Sequence, residues 1–534
     1  MTRQDFAGTT TMARLALRRD RILLPVWILV FVAMAAGSAQ ASISIYPDVA
    51  SRVKAAEGVN SSPALVSMYG RIYDVTSLGE VSLFKLTGFG ALLVALLACL
   101  LVTRHTRAEE ETGRLELLSA GVLGRYTALT GALLVVGGTS VAIGLLTAIS
   151  LIGVGLPAAG SLAFGLTWAS AGLAFTAIAG LTAQLTEGAR TANGYAVAIL
   201  GASFVLRAAG DASAADGPRW LSWLSPIGWS QQIRPYAGDR WLVVLLPLAL
   251  AVVLTAAAYS LVRRRDVGAG LVRPKPGPAT AARSLRSPLA LAWRLQRGSL
   301  FGWSVGFLLL GAVVGNIATN VGSIADSPAA QDMIRKLGGV GGLTDAFLAT
   351  EMGMMGLIAS AYGIQAAMRL RSEETSLRAE PLLATGVTRT RWMLSHITIA
   401  FAGTAFLILV AGLGAGLSAG ASLGDTGHQV GRLLAAALVQ LPAVWVVTGL
   451  VIAFFGLLPK ATIAGWAFFA AFLLIGQFGP LFELPQWLMD LTPYAHTPNL
   501  PGGTFTTTPI LWLTALAAAL TLTGLTTFRH RDLG

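Results

Sequence analysis

Cysteine is almost missing from this chain: Cys99 stands alone inside an apolar run, so no intramolecular disulfide can form. Charge is scarce as well. Only 12% of the 534 residues are Asp, Glu, Lys or Arg, against 54% hydrophobic, which is more apolar surface than a soluble core of this length buries. No Gly-Lys dipeptide occurs, so the phosphate loop G-x-x-x-x-G-K-[S/T] is not encoded and nucleotide hydrolysis of that type is excluded. The five histidines, His105, His396, His428, His496 and His530, are dispersed without metal-ligand spacing, and no metal site is expected. The first apolar stretch is long and lacks an A-x-A-like exit, so no cleavable signal peptide is expected.

What is present is a long series of apolar runs. The net charge of +12 comes from basic residues in short bands between those runs, which reads as membrane orientation and not as a nucleic-acid surface. Lysine occurs only at Lys54, Lys85, Lys275, Lys336 and Lys460, and arginine supplies the other basic residues. With the heavy use of Ala and Gly, this composition points to a high-GC bacterial source. A bilayer core requires roughly 20 apolar residues per helix. Windows of that kind predict twelve spans, at 22–45, 82–103, 127–152, 161–185, 194–209, 241–262, 301–322, 347–368, 393–418, 432–458, 461–479 and 509–528. An even number puts both termini on one side. With the termini cytoplasmic, most of the Lys and Arg fall inside, as the positive-inside bias requires.

The runs repeat as a set of six. Arg18, Arg21 and Trp27 match Arg294, Arg297 and Trp303. After the second span of each half, Arg107-x-Glu109-Glu110-x-x-x-Arg114-x-Glu116 matches Arg371-x-Glu373-Glu374-x-x-x-Arg378-x-Glu380. Trp220-Leu221-x-x-Leu224-Ser225-Pro226 matches Trp487-Leu488-x-x-Leu491-Thr492-Pro493, and each half closes on Arg-x-Arg-Asp-apolar-Gly, at 263–268 and 529–534. Four landmarks in one order predict two six-span halves of like orientation, related by a pseudo-two-fold axis along the membrane normal. The domains are therefore 1–268, a Pro-rich cytoplasmic linker over 269–287 that contains Arg273-Pro274-Lys275-Pro276-Gly277-Pro278, and 288–534.

The duplicated charged segment is the strongest candidate for function. Read as a helix, Glu110 to Arg114 and Glu374 to Arg378 are i,i+4 pairs with the acid N-terminal, and Arg107 to Glu110 and Arg371 to Glu374 are i,i+3 pairs. Such a laced helix is self-consistent at a cytoplasmic surface, where it is either a solvated cap or a docking element. Before each half, arginines interleave with apolar residues, Arg14, Arg18, Arg19 and Arg21 with Met12, Leu15 and Leu17, and Arg294 and Arg297 with Leu291, Trp293 and Leu295. Helices of that composition lie at the membrane interface.

The stretch Glu110 to Leu118, together with the basic helix opening each half, resembles permeases of type-2 ABC exporters. The fused form, with Arg-Arg-Asp-Val-Gly-Ala-Gly-Leu at 264–271 and Trp-Leu-Ser-Trp-Leu-Ser-Pro-Ile-Gly-Trp at 220–229, is similar to actinobacterial exporters of polyketide antibiotics, the tetronasin-transporter-like permeases. The resemblance spans essentially the whole chain. It implies an all-α membrane protein with an interfacial elbow helix, a cytoplasmic coupling helix and a short re-entrant external segment in each half. It further implies a plasma-membrane permease with two copies of a separate ABC ATPase subunit, which bind the ATP and Mg, while this chain binds no cofactor. Arg107, Glu109, Glu110, Arg114, Glu116, Arg371, Glu373, Glu374, Arg378 and Glu380 would couple to that ATPase. The second copy departs from the pattern, reading Thr375-Ser376-Leu377 for Glu111-Thr112-Gly113 and inserting Pro381.

Charges within spans default to functional candidates. Lys85 and Glu351 stand at nearly the same depth in the two halves and are expected either to form a gate ion pair or to snorkel separately to the interface. Spans 2, 5, 8 and 11 line the pathway in the resemblance. There Phe84, Phe89, Phe204, Met352, Met355, Tyr362, Phe468 and Phe472 would meet a hydrophobic or amphipathic substrate, or else pack against helices and lipid. Gly302-Trp303-Ser304-Val305-Gly306 has the spacing of a hydrolase elbow but opens a membrane helix, so it is read as packing. Gly412-x-x-x-Gly416-x-x-x-Gly420 is read as a close-packing face, and Gly338-Gly339-Val340-Gly341-Gly342 as a flexible turn. Two other functions fit parts of the pattern, a proton-coupled secondary transporter and a membrane sensor or mechanical transmitter. The first calls for acids buried mid-span, the second for a large external domain.

Overall fold

The computed structural model describes residues 3–61, 63–119, 121, 123–213, 217–266, 268–272, 277–320, 340–478 and 485–532. Described residues are helical or irregular, without a strand. They include 11 helices long and apolar enough to cross a membrane. This is an all-α, multi-pass architecture. The chain separates into two compact units, Met1–Gly277 and Pro278–Gly534. Residues 273–276 of the expected linker lie outside the described residues.

In the first unit, α1 (Thr9–Arg19) precedes the spans α2 (Leu23–Ile45) and α3 (Leu78–His105). Two short helices, α4 (Arg107–Glu111) and α5 (Arg114–Ser119), lead to α6 (Thr127–Gly153), α7 (Ala158–Leu185), α8 (Ala189–Ala212) and α9 (Leu245–Val262). Ser77 caps α3 by accepting from the Glu80 N–H. Pro157 and the left-handed Gly155 turn α6 sharply into α7. Helices α6 and α7 touch backbone to backbone, since a Cβ on Gly144 would stand 2.4 Å from the Gly165 carbonyl oxygen. Without a hydrophobic drive between helices in lipid, such approach of small residues supplies the packing. Helix α7 is buried along most of its length and α9 along little of it, so α7 is the centre of the unit and α9 its rim. Unpredicted helices Val49–Asn60 and Pro63–Tyr69 cover one end between α2 and α3.

The second unit holds α10 (Pro288–Asn320), α11 (Val340–Ala367), the short α12 (Arg369–Thr375) and α13 (Ala379–Leu383), then α14 (Arg389–Leu423), α15 (Thr426–Leu438), α16 (Leu441–Leu457), α17 (Ala464–Phe478) and α18 (Thr507–His530). Cβ atoms on Gly416 and Gly420 would lie 2.6 and 2.5 Å from Val430 Cα and Thr426 Cα, so that glycine face seats α15 directly on α14. Gly302–Gly306 lies within α10.

Three expectations change. Where twelve spans are expected, eleven reach full length among the described residues. The segment expected at 461–479 is α17, with only 15 residues. The glycine run is not a turn at its C-terminal end, because Val340, Gly341 and Gly342 already form the start of α11, while Gly338 and Gly339 lie outside the described residues. The elbow is a separate helix only in the first unit, for residues 291–297 are simply the first turns of α10. The physical reason is Asp20, buried at the α1–α2 junction and paired with Arg104 at 2.9 Å and His105 at 2.7 Å. Gln296, the matching residue, reaches only His396, at 3.4 Å, and the helix runs on.

The charged segment breaks at Gly113 and Leu377, both with positive φ, 70° and 56°. Nothing lies within 4 Å of a Cβ built on Gly113, so only the backbone conformation resists a side chain there. Gly113→Ala is expected to cost about 1 kcal/mol, whereas Leu377→Ala at the exposed matching position should shift stability by less than about 0.5 kcal/mol. Thermal unfolding of the purified chain in nanodiscs compares the two.

Candidate functional site: two ion-locked segments

Glu110 sits at the end of α3 and α4 where three stretches of chain meet. Its carboxylate accepts from Arg107 Nη1 at 2.8 Å and from both Arg265 Nη atoms, at 2.8 and 2.7 Å. The Gly268 N–H adds a longer bond of 3.3 Å. Arg107 is wholly buried and donates through Nε and Nη2 to the Ala183 carbonyl at 2.9 and 2.6 Å, which satisfies an orphan carbonyl at the end of α7. Arg265 Nε donates to Gln184 Oε1 at 2.8 Å. Arg125, opening the return into α6, donates to the carbonyls of Val262 and Arg265 at 3.2 and 3.1 Å. One carboxylate thus ties together the ends of α3, α7 and α9.

The second unit repeats the arrangement with its own residues. Glu374 accepts from Arg371 Nη1 at 2.9 Å and from Arg531 Nη2 at 2.6 Å. Arg389 Nη1 donates to the Arg531 carbonyl at 2.6 Å. The Arg531 guanidinium also lies over the rings of Phe455 and Phe528, at 5.1 and 5.4 Å.

Of the two expected i,i+3 pairs, Arg107–Glu110 and Arg371–Glu374 both form. The i,i+4 pairs do not, because the left-handed breaks re-aim the later arginines. Arg114 approaches Glu109 at 3.8 Å and Arg378 approaches Glu373 at 3.8 Å. Glu109 also meets Arg19 of α1, whereas Glu373 takes Arg369 at 2.6 Å. Buried Glu110, Glu373, Glu374 and Arg107 are therefore anchors and not a presented face. Among the exposed residues of the segments are Glu111, Arg114, Glu116 and Leu117 in one and Thr375, Leu377, Arg378, Glu380 and Pro381 in the other. Arg265, Arg531, Arg125 and Arg389 are the residues that sequence reasoning missed as site members. The closing Arg-x-Arg-Asp motif carried the signal for two of them, but as a repeat landmark only.

The expected pathway residues divide. Met352, Met355 and Tyr362 are 0–2% exposed in the core of the second unit. Phe84 packs edge-on against Tyr69, 5.8 Å between centroids, and Phe204 lies under the Arg207 guanidinium at 4.5 Å. Phe89 is half-buried, Phe468 is exposed and stacked on Phe454, and Phe472 is half-buried beside Phe468. Lys85 is exposed above the Phe84 ring and Glu351 is half-buried on α11, in different units.

Residues 10–263 and 285–529 match a family model described as the multidrug efflux system permease Rv1217c, C-terminal domain. A relative from Mycobacterium tuberculosis (strain ATCC 25618 / H37Rv), the multidrug efflux system permease protein Rv1217c, is 46% identical over 529 residues, covering 99% of this chain and 95% of its own length. The chain belongs to this family of multidrug efflux permeases. Its membrane spans and transport character follow from that membership; Glu110 and Glu374 lie inside the two matched regions, and Arg265 and Arg531 two residues beyond their ends.

Removing one member of a buried, hydrogen-bonded ion cluster strands its partner's charge. Glu110→Gln and Arg265→Ala are each expected to cost about 3–5 kcal/mol, and Glu374→Gln the same in the second unit. Arg114→Ala, whose side chain is 58% exposed, should cost less than about 1 kcal/mol. Unfolding temperatures of the full chain rank the four variants.

Proposed function

We propose that this permease is the membrane subunit of an ATP-driven exporter and that a separate ATPase, two copies per chain, docks on α4–α5 and α12–α13. Substrate would be a hydrophobic or amphipathic compound, a drug or polyketide-like molecule, carried outward by alternating access. On this reading both termini are cytoplasmic, the plasma membrane is bacterial, and α17 with its flanking residues completes twelve spans in two six-span halves. The observation that carries the reading is the pair of segments, each broken at the same point and locked from beneath by Glu110 or Glu374. Each presents an exposed leucine, Leu117 at 79% and Leu377 at 64% exposure. The relative's name, a multidrug efflux system permease, supports an efflux role and a system of several components. The absence of a Gly-Lys pair from the chain supports an external motor.

The test is co-expression with candidate ABC ATPase subunits from the same genome, followed by co-purification and drug-stimulated hydrolysis. Leu117→Asp combined with Leu377→Asp is expected to abolish both while leaving the unfolding temperature within a few degrees. Drug transport by the purified permease alone, without nucleotide, would instead establish the proton-coupled alternative.

A gate pair of Lys85 with Glu351 belongs to the same proposal on their matching sequence depth alone. Lys85→Glu should lower efflux severalfold, and adding Glu351→Lys should restore most of it. A double variant no better than the single one removes the pair from the mechanism.

A further inference from the structure

Helix α1 crosses α6 with a cavity on each flank. One, of about 510 Å³, lies between α1, α4–α5 and α6. Its walls are apolar, with Leu15, Leu117 and Ala128 among them, and its rim carries Arg18, Arg19 and Arg114. The other, of about 520 Å³, continues along α2 and α6 between Leu24, Ile28, Leu134 and Val135. Each has the size of a ligand pocket.

The charges at the rim do not balance. Among the described residues, Glu109 is the one carboxylate lining the first cavity, and it is shared by Arg19 and Arg114. Arg18 lines the same cavity and makes no hydrogen bond or ion pair among the described residues, nor do Arg14 and Arg21 on the same short stretch. Burial, together with the neighbouring Arg104 and Arg114, lowers the Arg19 guanidinium from its ordinary value. Crowded guanidinium groups above an apolar wall, at the end of a set of membrane spans, have the chemistry of a phosphate with acyl chains attached. A soluble anion would satisfy the arginines but leave the exposed Leu15 and Leu17, on the two flanks of α1, uncovered. A neutral lipid would cover the leucines but leave the arginines crowded.

We propose that the junction of α1, α4–α5 and α6 in the first unit binds one anionic phospholipid, its phosphate on Arg18, Arg19 and Arg114 and an acyl chain along α6. The phosphate competes with Glu109 for Arg19 and Arg114, and Glu109 adjoins the locked Glu110. Lipid charge therefore bears on the position of α4 and α5. In the second unit Leu295 stands at the position matching Arg19, and Glu373 already holds Arg369.

The test uses the full chain purified in detergent, titrated with dioleoyl phosphatidylglycerol, dioleoyl phosphatidylcholine or glycerol 3-phosphate and read by native mass spectrometry and thermal unfolding. Phosphatidylglycerol is expected to bind at least about tenfold tighter than phosphatidylcholine and to raise the unfolding temperature, with glycerol 3-phosphate doing neither. Arg18→Gln with Arg114→Gln should erase the preference for the anionic lipid. Ala128→Phe, which fills the cavity without touching an arginine, should weaken phosphatidylglycerol binding severalfold and serves if the arginine variant does not fold. Equal affinity for the two lipids, an undiminished preference in both variants, or binding of glycerol 3-phosphate as tight as that of the lipid would each overturn the site.

Discussion

A carboxylate shared by two arginines at the ends of three membrane helices is the constraint from which the rest of each unit follows. Burying Glu110, or the completely buried Arg107, without a partner would carry a heavy desolvation cost. Each needs the other, and the arginines need the carbonyls that the end of α7 and the chain after α9 supply, Arg107 donating to Ala183 and Ala269 and Arg265 to Ala269. The requirement is positional as much as energetic. A buried ion cluster is weak evidence for stability, because packed apolar residues often do as well, but it admits only one arrangement of the elements that contribute to it. Apolar helices in lipid slide and rotate against one another at little cost, and the cluster removes that freedom at one end of the unit.

The recurrence of the cluster in the second unit shows which parts matter. Glu, its i−3 arginine, the arginine after the last span and the arginine that holds the latter's carbonyl are kept in both. The elbow attachment is not. Arg19 to Glu109 and Asp20 to Arg104 and His105 anchor a separate α1 in the first unit, whereas Gln296 and Leu295 leave the matching residues as part of one long helix. The exposed sides of the two segments keep their charges, Arg114 and Glu116 recurring as Arg378 and Glu380, but exchange Gly113 for Leu377 and Leu117 for Pro381. The inward lock recurs in both units; the outward face recurs in its charges and diverges at its apolar positions.

How much of this could be read from sequence depends on the range of the interaction. Hydropathy placed the spans, because lipid selects on local composition over about twenty residues. The i,i+3 pairs were legible for the same reason. The i,i+4 pairs were legible too, but failed, since a single left-handed residue at 113 or 377 rotates all that follows, and Leu377 carries no mark of that conformation. Arg265 and Arg531 lie more than 150 residues from the acids they bind, and no local rule connects them. Their recurrence in the repeat was the only available sign. Met352, Met355 and Tyr362 show the converse case, in which two readings stood open. Large apolar residues on a span fit a substrate path and a helix interface equally well by composition, and only the packing of α11 against α14 and α16 separates the two.

These facts bear on how force could pass through the molecule. If α4 and α5 were a solvated cap, displacing them would cost little and move nothing else. With Glu110 bonded to Arg107 and Arg265, and those bonded to Ala183 and Gln184, a displacement of the segment must either break a buried charge cluster or carry the ends of α3, α7 and α9 with it. The second is far cheaper, because it leaves every buried polar group paired. On the proposed reading, a partner pressing on Leu117 therefore moves span ends and not a loop. The left-handed break after the lock lets α5 lie against that partner at its own angle while α4 stays bound to the membrane helices.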